Sequence, residues 1–596
     1  MCGIFFYCSK NNKNLDKDYL NKALALISHR GPDNFDFLVH KHLNNEIYFG
    51  HTRLSMLDLN KNASQPMSNE KLIIIFNGEI FNFKELKEEL IYSGYHFKTK
   101  TDTEVFLAGY QKWGKNISNK INGFWSALIY DKQKNTLHVS RDRFGIKPLY
   151  YYQTKSEIIF SSEIKPILYL SKSCDIDTDY LSQQLVYEQE NEFYNTLYKG
   201  VKVFPISCYA NIDLQKNDLL FQKYWVPEKK YNIKNENNAV DLFQEIFEDS
   251  IRLRVFSDRP MGLTLSSGID STAVAVGIKN LSLNHDVKSF CIDIPGKDFN
   301  ENNVASLTAK KLDINHIPVH IDFETFTADF KKFCNHQELP VVSMSQMMNW
   351  YIHKNISKTD IKGVLNGQGG DEVFLGYERH RIQNSSFNFL IKLLPIALSG
   401  SKKTKYSLLD YFLLYSIINF KSLRKFMQHL RASKYLSKDF ITNAIYKKNK
   451  KLFSNTDIII NEIMEGQISR LLRYDDRTAG AFGLEGRPIF LDHRLIEYSL
   501  SLPQNLVFKD GWSKYILRKY LSKNGFNEIA WKKNKFGFSG PDSQLLPLLN
   551  YNYELLDKFV PGAFKRANKT KLRDLDKFKI VNLSNILECM EKYLEK

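Results

Sequence analysis

Leu265-Ser266-Ser267-Gly268-Ile269-Asp270-Ser271 sits between a short apolar run at residues 261–265 and the opening of a helix at 272–279. A strand that feeds a Ser/Gly-rich turn and then a helix gathers several backbone N–H groups and the positive end of a helix dipole at one point. Such a point is a cradle for a polyphosphate. Gly268 lets the backbone approach closely, and Ser266, Ser267 and Ser271 add hydroxyl donors. Asp270 requires a cation between itself and any phosphate, because like charges repel, and Mg²⁺ is the natural candidate. The pattern lacks the G-x-x-x-x-G-K-S/T of a Walker loop.

Working outward, strand-like runs at 287–293, 316–321 and 363–365 alternate with helical stretches. Val240, Phe243, Phe247 and Ile251 mark a helix ahead of the loop. That alternation predicts a doubly wound parallel sheet, in which ligands bind beyond the carboxyl ends of the strands. Asn366-Gly367-Gln368-Gly369-Gly370-Asp371-Glu372 closes another such strand. A second Gly-rich, carboxylate-bearing strand end facing the first is what a nucleotide with Mg²⁺ requires.

At 596 residues the chain is too long for one core, and two or more domains are expected. Hydrophobic content of 43% and charged content of 25% describe an ordinary globular protein. The net charge of +17 comes from Lys and Arg scattered along the whole length, without a dense basic block, so no nucleic-acid partner is expected. The seven cysteines are odd in number, widely spaced and without a C-x-x-C pair. They argue against a disulfide framework or a zinc site and for a reducing, cytoplasmic location. No signal peptide is expected, since Lys10 and Lys13 follow Met1 almost at once. The apolar stretches 387–398 and 408–420 carry Lys392, Pro395 and Asp410 and are too short to span a bilayer. They are expected to be core helices, with no membrane partner.

Met1-Cys2-Gly3-Ile4 opens the chain. Removal of Met1 would leave Cys2 with a free α-amine, of ordinary pKa about 8, able to take the thiol proton without a histidine. Leu20, Ala23, Leu24 and Ile27 predict an amphipathic helix over 16–29, ended by Gly31-Pro32. Strands are expected at 47–57 and 72–76, the second running into a strand-end turn at Asn77-Gly78-Glu79. There a side-chain amide and a glycine N–H can converge on one oxygen, as in an oxyanion hole. Asn82-x-x-Glu85 and Thr101-x-x-Glu104 have the form of helix caps, which puts Asp102 in a first helical turn. Residues 124–131 and 136–142 read as a hairpin.

With Cys2-Gly3-Ile4, His29-Arg30-Gly31-Pro32-Asp33, Gly50-His51-Thr52-Arg53-Leu54-Ser55, Phe76-Asn77-Gly78-Glu79 and Arg141-Asp142-Arg143-Phe144-Gly145 in order, the first part resembles the glutaminase domain of class II glutamine amidotransferases. The resemblance implies the N-terminal-nucleophile hydrolase fold, an αββα sandwich. It implies Cys2 as nucleophile, Asn77 and Gly78 as oxyanion donors, Arg53 for the glutamine carboxylate, and Asp102 with Glu79 for its ammonium. The second part adds Arg473-Tyr474-Asp475-Asp476-Arg477, Leu484-Glu485-Gly486-Arg487-Pro488 and Gly511-Trp512-Ser513-Lys514-Tyr515. It resembles the synthetase domain of glutamine-hydrolysing asparagine synthetase, and its loop resembles the PP-loop of enzymes that cleave ATP between the α and β phosphates. That implies ATP held by Leu265, Ser266, Ser267, Gly268, Asp270, Ser271, Ile292, Asn366 and Gly367, Mg²⁺ by Asp270 and Asp371, and Lys514 offsetting charge on pyrophosphate.

The expected organisation is therefore two domains, α+β then α/β: a glutaminase domain over 1–210, a connection over 211–238, and a PP-loop synthetase domain with added helices over 239–596. The expected function is glutamine-dependent amidation of a carboxylate through an acyl-adenylate. Aspartate is the first candidate and a sugar- or peptide-linked carboxylate the alternative. Small-molecule substrates are expected, and a homodimer is compatible with this reading. Three departures from the family pattern stand out. Asn366-Gly367-Gln368 replaces Ser-Gly-Glu, so that Gln368 stands where a glutamate is thought to assist adenylate formation. Gly486-Arg487-Pro488 replaces Ala-Arg-Val, and 387–460 is a long helix-rich stretch without family motifs.

Overall fold

The computed structural model describes residues 1–9, 16–42, 45–188, 194–216, 218–296, 300–383, 407–445, 454–532, 540–565 and 572–594. The first part is built on two six-stranded antiparallel sheets. Gly3–Ser9 lies inside one sheet, between Asn45–Arg53 and Glu157–Ser161, and Leu72–Ile80 lies inside the other, paired with Gly123–Asp131.

Alternation along the strands sorts the side chains into layers. Ile4, Phe6, Ile73 and Ile75 share one core between the sheets. Phe5 and Tyr48 point outward onto Leu20, Leu24 and Ile167, while Ile74 and Phe76 point outward onto Leu86, Leu90 and Phe106. Helix, sheet, sheet and helix follow in four layers, the αββα sandwich.

The second part carries a five-stranded parallel sheet in the order His316–His320, Val287–Asp293, Met261–Thr264, Gly363–Asn366, Glu485–Pro488. Helices Ile269–Asn280, Glu301–Leu312 and Gln346–Ile356 connect successive strands, as parallel pairing demands. Four strands follow the expected runs. The fifth was not expected, because Glu485-Gly486-Arg487-Pro488 has neither apolar periodicity nor β-branched residues.

Several local expectations are corrected. Asn77, Gly78 and Glu79 are not a strand-end turn: the strand continues to Ile80, and they pair with Ser126, Trp125 and Phe124. The first helix is only Lys17–Ala25, capped by Asp16, with a 3-10 turn at Ser28–Arg30. Asn82 does not cap helix Phe83–Tyr92, because its side chain is spent on Lys120 O and Asn122 N. Of the apolar stretches, 387–398 lies outside the described residues. The other forms helix Leu408–Asn419, which is core on one face only: Tyr411 and Tyr415 are buried beside Ile382, while Leu409 and Leu413 are exposed. Among the described residues no helix is long and apolar enough to cross a membrane.

Strands Cys208–Asp213 and Gln222–Lys223 still belong to the second antiparallel sheet, and helix Glu236–Val255 opens the next unit. The two parts share a core in which Leu54, Met56, Phe81, Phe124 and Phe144 cluster with Phe243, Leu263 and Phe490. Their junction also buries charge. Arg30 is bidentate to Asp476 (2.9 and 3.2 Å), Arg477 meets Glu163 and Glu338 (2.9 and 2.6 Å), and Lys147 faces Glu485 at 3.5 Å.

Candidate active sites

Cys2 immediately precedes the central strand of the first sheet, so sheet pairing fixes its backbone. Its thiol donates to Leu54 O at 3.7 Å, and Arg30 Nε donates to Cys2 O at 3.0 Å. Burial pushes the thiol up, and the strongest opposing influence is the amine of Met1. A buried thiol in these surroundings needs a base of its own to become a thiolate. Met1 is itself buried at the junction. Its amine donates to Leu484 O (3.3 Å) and is pushed down to about 5 by burial, while its Sδ accepts from Arg30.

Asn77 is fully buried, and neither its Oδ1 nor its Nδ2 has a partner among the described residues. Leaving one such atom unpaired costs about 1–3 kcal/mol, so packing alone gives no reason for an amide at this position. Gly78 is required beside it, since a Cβ there would fall 2.2 Å from Phe124 O. Arg53 donates to the carbonyls of Asn60, Leu57 and Asp58, and no carboxylate lies within ion-pair distance among the described residues. Asp102 accepts from Ile80 N (2.8 Å) at the start of helix Asp102–Trp113. Its carboxyl is pushed up to about 6, chiefly by burial. Glu79 does not open onto the same space alone: it faces Arg487 of the second part at 3.5 Å, and burial with the nearby Glu485 charge pushes it up.

In the second part the two turns meet at the carboxyl ends of adjacent strands. Lys514, in a left-handed conformation ahead of helix Tyr515–Lys523, sets Nζ 2.7 Å from both Asp270 oxygens and 2.6 Å from Asp371 Oδ1. Gly367 packs on Asp270, its hypothetical Cβ 3.1 Å from the Asp270 Cβ. Ser266 and Ser271 spend their hydroxyls on each other (2.9 Å) and on the loop backbone, which shapes the turn. Leu265 and Ile292 are buried beneath it, with Leu265 N donating to Phe290 O. No hydrogen bond of Ser267 marks it as part of the loop's internal scaffold.

The Asn366 side chain is turned away from the loop: Nδ2 donates to Asp475 Oδ2 (3.0 Å) and Oδ1 accepts from Gln368 N. Gln368 itself carries a buried Oε1 without a partner among the described residues.

Two carboxylates converging on one cation are a donor set suited to a divalent metal. The cradle is tight on its open side as well: a Cβ on Gly376 would fall 1.9 Å from Asp371 Oδ1 and 2.1 Å from Lys514 Cε. The residues therefore fit Mg²⁺. A different group, His29, Glu163 and His336, also has metal-like spacing. There Glu163 already meets Arg30, Arg477 and Lys165 at 2.8–3.0 Å, and a dication would face three fixed cations. That group is an ion-pair hub of the junction.

Arg30, Asp475, Asp476 and Arg477 stand in the quoted motifs without a role assigned to them, and Glu163 was missed; at the junction they pair, and burial pushes the Asp475 carboxyl up to about 7. The available signal was the adjacent pair Asp475-Asp476 between two arginines, Arg473 and Arg477.

Residues 1–225 match the family of the glutamine amidotransferase domain, and residues 242–595 match the asparagine synthase family. The chain is 29% identical over 564 residues to glutamine-hydrolyzing asparagine synthetase 1 of Bacillus subtilis, covering 91% of this chain and 87% of that protein. It is 27% identical to asparagine synthetase 3 of the same organism, over 89% of this chain and 86% of that protein. It is also similar to the amidase chyE of Penicillium rubens, 25% identical over 88% of this chain and 85% of that protein. The asparagine synthase match alone spans more than half of the sequence, and the chain belongs to that family as a glutamine-hydrolysing, ATP-using carbon–nitrogen ligase.

Proposed function

We propose that the chain makes asparagine from aspartate, with ATP cleaved to AMP and pyrophosphate and the nitrogen supplied by glutamine. The observation that carries this reading is the convergence of Asp270 and Asp371, from two strand ends, on Lys514.

In the first site, the free α-amine of Cys2 left by Met1 removal takes the thiol proton. The thiolate adds to the glutamine amide carbon, and the oxyanion is met by Asn77 Nδ2 and Gly78 N–H. Ammonia leaves, and water then hydrolyses the thioester to glutamate. Arg53 fits the substrate carboxylate and Asp102 its ammonium.

In the second site, Asp270 and Asp371 would hold Mg²⁺, which supplies positive charge against the β- and γ-phosphates. Lys514 neutralises both carboxylates, and were they to hold the metal its ammonium would be available to the departing pyrophosphate. The acceptor carboxylate displaces pyrophosphate from the α-phosphorus. Ammonia then adds to the acyl carbon, one proton is lost, and AMP leaves.

Ammonia must stay unprotonated between the sites. Met1 occupies buried space between Cys2 and Leu484. Its removal both frees the amine and vacates volume toward the second site.

A second acceptor is favoured by one observation. Gln368, a neutral amide where the family pattern has a glutamate, cannot carry charge, which suits an acceptor other than aspartate, and its buried Oε1 has no partner among the described residues. Pyrophosphate release screened over candidate carboxylates, with AMP and ADP quantified, tests both readings. Release that depends on aspartate with AMP as product supports the first. Release with another acceptor only supports the second, and ADP as product removes both.

A further inference from the structure

Helix Lys421–Ala432 is inside out. An ordinary surface helix buries its apolar stripe and shows its polar face. Here the polar side is turned to the protein: Gln428 Nε2 donates to Tyr187 O (2.8 Å), Arg431 Nη2 donates to Leu185 O and Val186 O (3.0 and 2.8 Å), and His429 Nε2 lies 2.9 Å from Tyr187 Oη. These contacts satisfy the orphan carbonyls at the end of helix Thr178–Tyr187. They fix the rotation of the outer helix. The side left to solvent carries Leu423, Phe426, Met427 and Leu430, spaced i, i+3, i+4, i+7.

The preceding helix Leu408–Asn419 adds exposed Leu409 and Leu413, and Phe420, between the two helices, is exposed as well. Of the twenty-two large apolar side chains exposed among the described residues, these seven are 40–80% exposed within one stretch of chain. Single exposed apolar residues are ordinary, but a concentration of this kind marks a contact surface.

The exposed charge beside it is mainly basic: Lys425 and Lys434 are open to solvent on the same stretch, while Arg431 is engaged by Glu188 at 2.7 Å. The single acid from 408 to 434 is Asp410, whose carboxylate is engaged by Ser407. A second copy of the chain meeting this face would bring two sets of basic side chains into one interface with Asp410 as the single acid that the stretch itself supplies, which disfavours it. An apolar stripe beside basic side chains matches the headgroup boundary of an anionic bilayer, where lysines meet lipid phosphates and the apolar side chains enter beneath.

We propose that the Leu409–Leu430 stripe is a peripheral membrane-docking surface for anionic lipid. It replaces the expectation that the chain has no membrane partner, and it is independent of which acceptor the enzyme uses.

The test is flotation of the full-length protein with vesicles of phosphatidylcholine alone or mixed with phosphatidylglycerol. The expected result is binding about ten-fold stronger to the anionic vesicles, falling as salt is raised. Phe426→Ser with Leu430→Ser, and separately Lys425→Glu with Lys434→Glu, should each reduce that binding about ten-fold at unchanged melting temperature, since neither pair is buried. Met427→Gln serves as a milder apolar variant should the double substitution fail to fold. Absence of binding to anionic vesicles overturns the proposal, as does binding that ignores all three variants. It is likewise overturned if the native protein is a dimer by light scattering that Phe426→Ser with Leu430→Ser dissociates, or if the face captures polyglutamate while ignoring vesicles.

Discussion

In the first domain Asn77 holds two buried polar atoms without a partner, while in the second Asp270, Asp371 and Lys514 neutralise one another. On the proposed function the first pocket is preorganised at a standing cost: strand pairing fixes the backbone of Asn77, so an oxyanion donor there would need little rearrangement as charge develops. On the same reading the second pocket keeps its charges satisfied from within, and Asp270 and Asp371 would release the Lys514 ammonium if they held a metal. The first strategy suits a reaction whose only developing charge is one oxyanion. The second would suit a site that binds a polyanion, where unscreened carboxylates would repel the substrate and the lysine supplies their counter-charge. Each pocket can therefore be disabled without the other, and the difference between them can be measured.

The largest effect should come from separating the two. Cys2→Ala is expected to lower glutamine-dependent product formation by about 10³-fold or more, while ammonia-dependent amidation changes less than about twofold. Asp371→Asn should instead lower pyrophosphate release by about 10²–10³-fold with either nitrogen source and leave glutamine hydrolysis intact. Parallel loss of both nitrogen sources in Cys2→Ala would break the division of labour. Intact mass of the purified protein, short by one methionine, is the accompanying requirement.

A smaller effect distinguishes how the first pocket grips its substrate. Burial, helped by the nearby Glu485 charge and opposed by hydrogen bonds from Ile80 and Thr101, pushes the Asp102 carboxyl up to about 6. Only the ionised form can hold a substrate ammonium. Hence kcat/KM for glutamine should fall about ten-fold per unit as the pH drops below 6, a limb set by the free enzyme. Asp102→Asn should raise KM at every pH and erase that limb. If the limb persists unchanged in the variant, the ammonium is held elsewhere.

These contrasts also explain what the sequence disclosed. Cys2, Asn77–Gly78, the Ser266–Ser271 turn and the Asn366–Asp371 turn are local: their meaning lies in a few adjacent residues and in the strands that precede them. Alternation at Ile4-Phe5-Phe6 and Ile73-Ile74-Ile75 is likewise legible, because each strand divides its side chains between two cores. The strand Glu485–Pro488 was not legible, because four residues without apolar periodicity become a strand only when Gly363–Asn366 pairs with them. The junction was hidden for a different reason. Arg30 and Asp476 are 446 positions apart, and no local pattern announces a pair of that separation. Helix Leu408–Asn419 misled because apolar content was read as burial, and composition does not say which way a helix is turned.

The smallest effect concerns an acid that lies between the two halves of the comparison. Asp475 Oδ2 holds Asn366 beside the second pocket and feels the Lys147 charge from the first domain. Gly486 makes room for it, since a Cβ there would lie 2.5 Å from the same oxygen, which gives the glycine of that unusual motif a packing reason. Burial raises the folded carboxyl to about 7 from an ordinary value near 3.8. Folding therefore takes up a proton between those values: the contribution to stability is complete below the ordinary value and is lost as the pH climbs through 7. Asp475→Asn keeps the shape and an acceptor for Asn366 but has no charge to bury. Its melting temperature relative to the parent should rise by about 1–3 °C between pH 5 and pH 8. A difference that stays flat across that range would mean that the carboxylate is ionised and stabilised at the junction, and that the interior between the two pockets is more polar than its packing suggests.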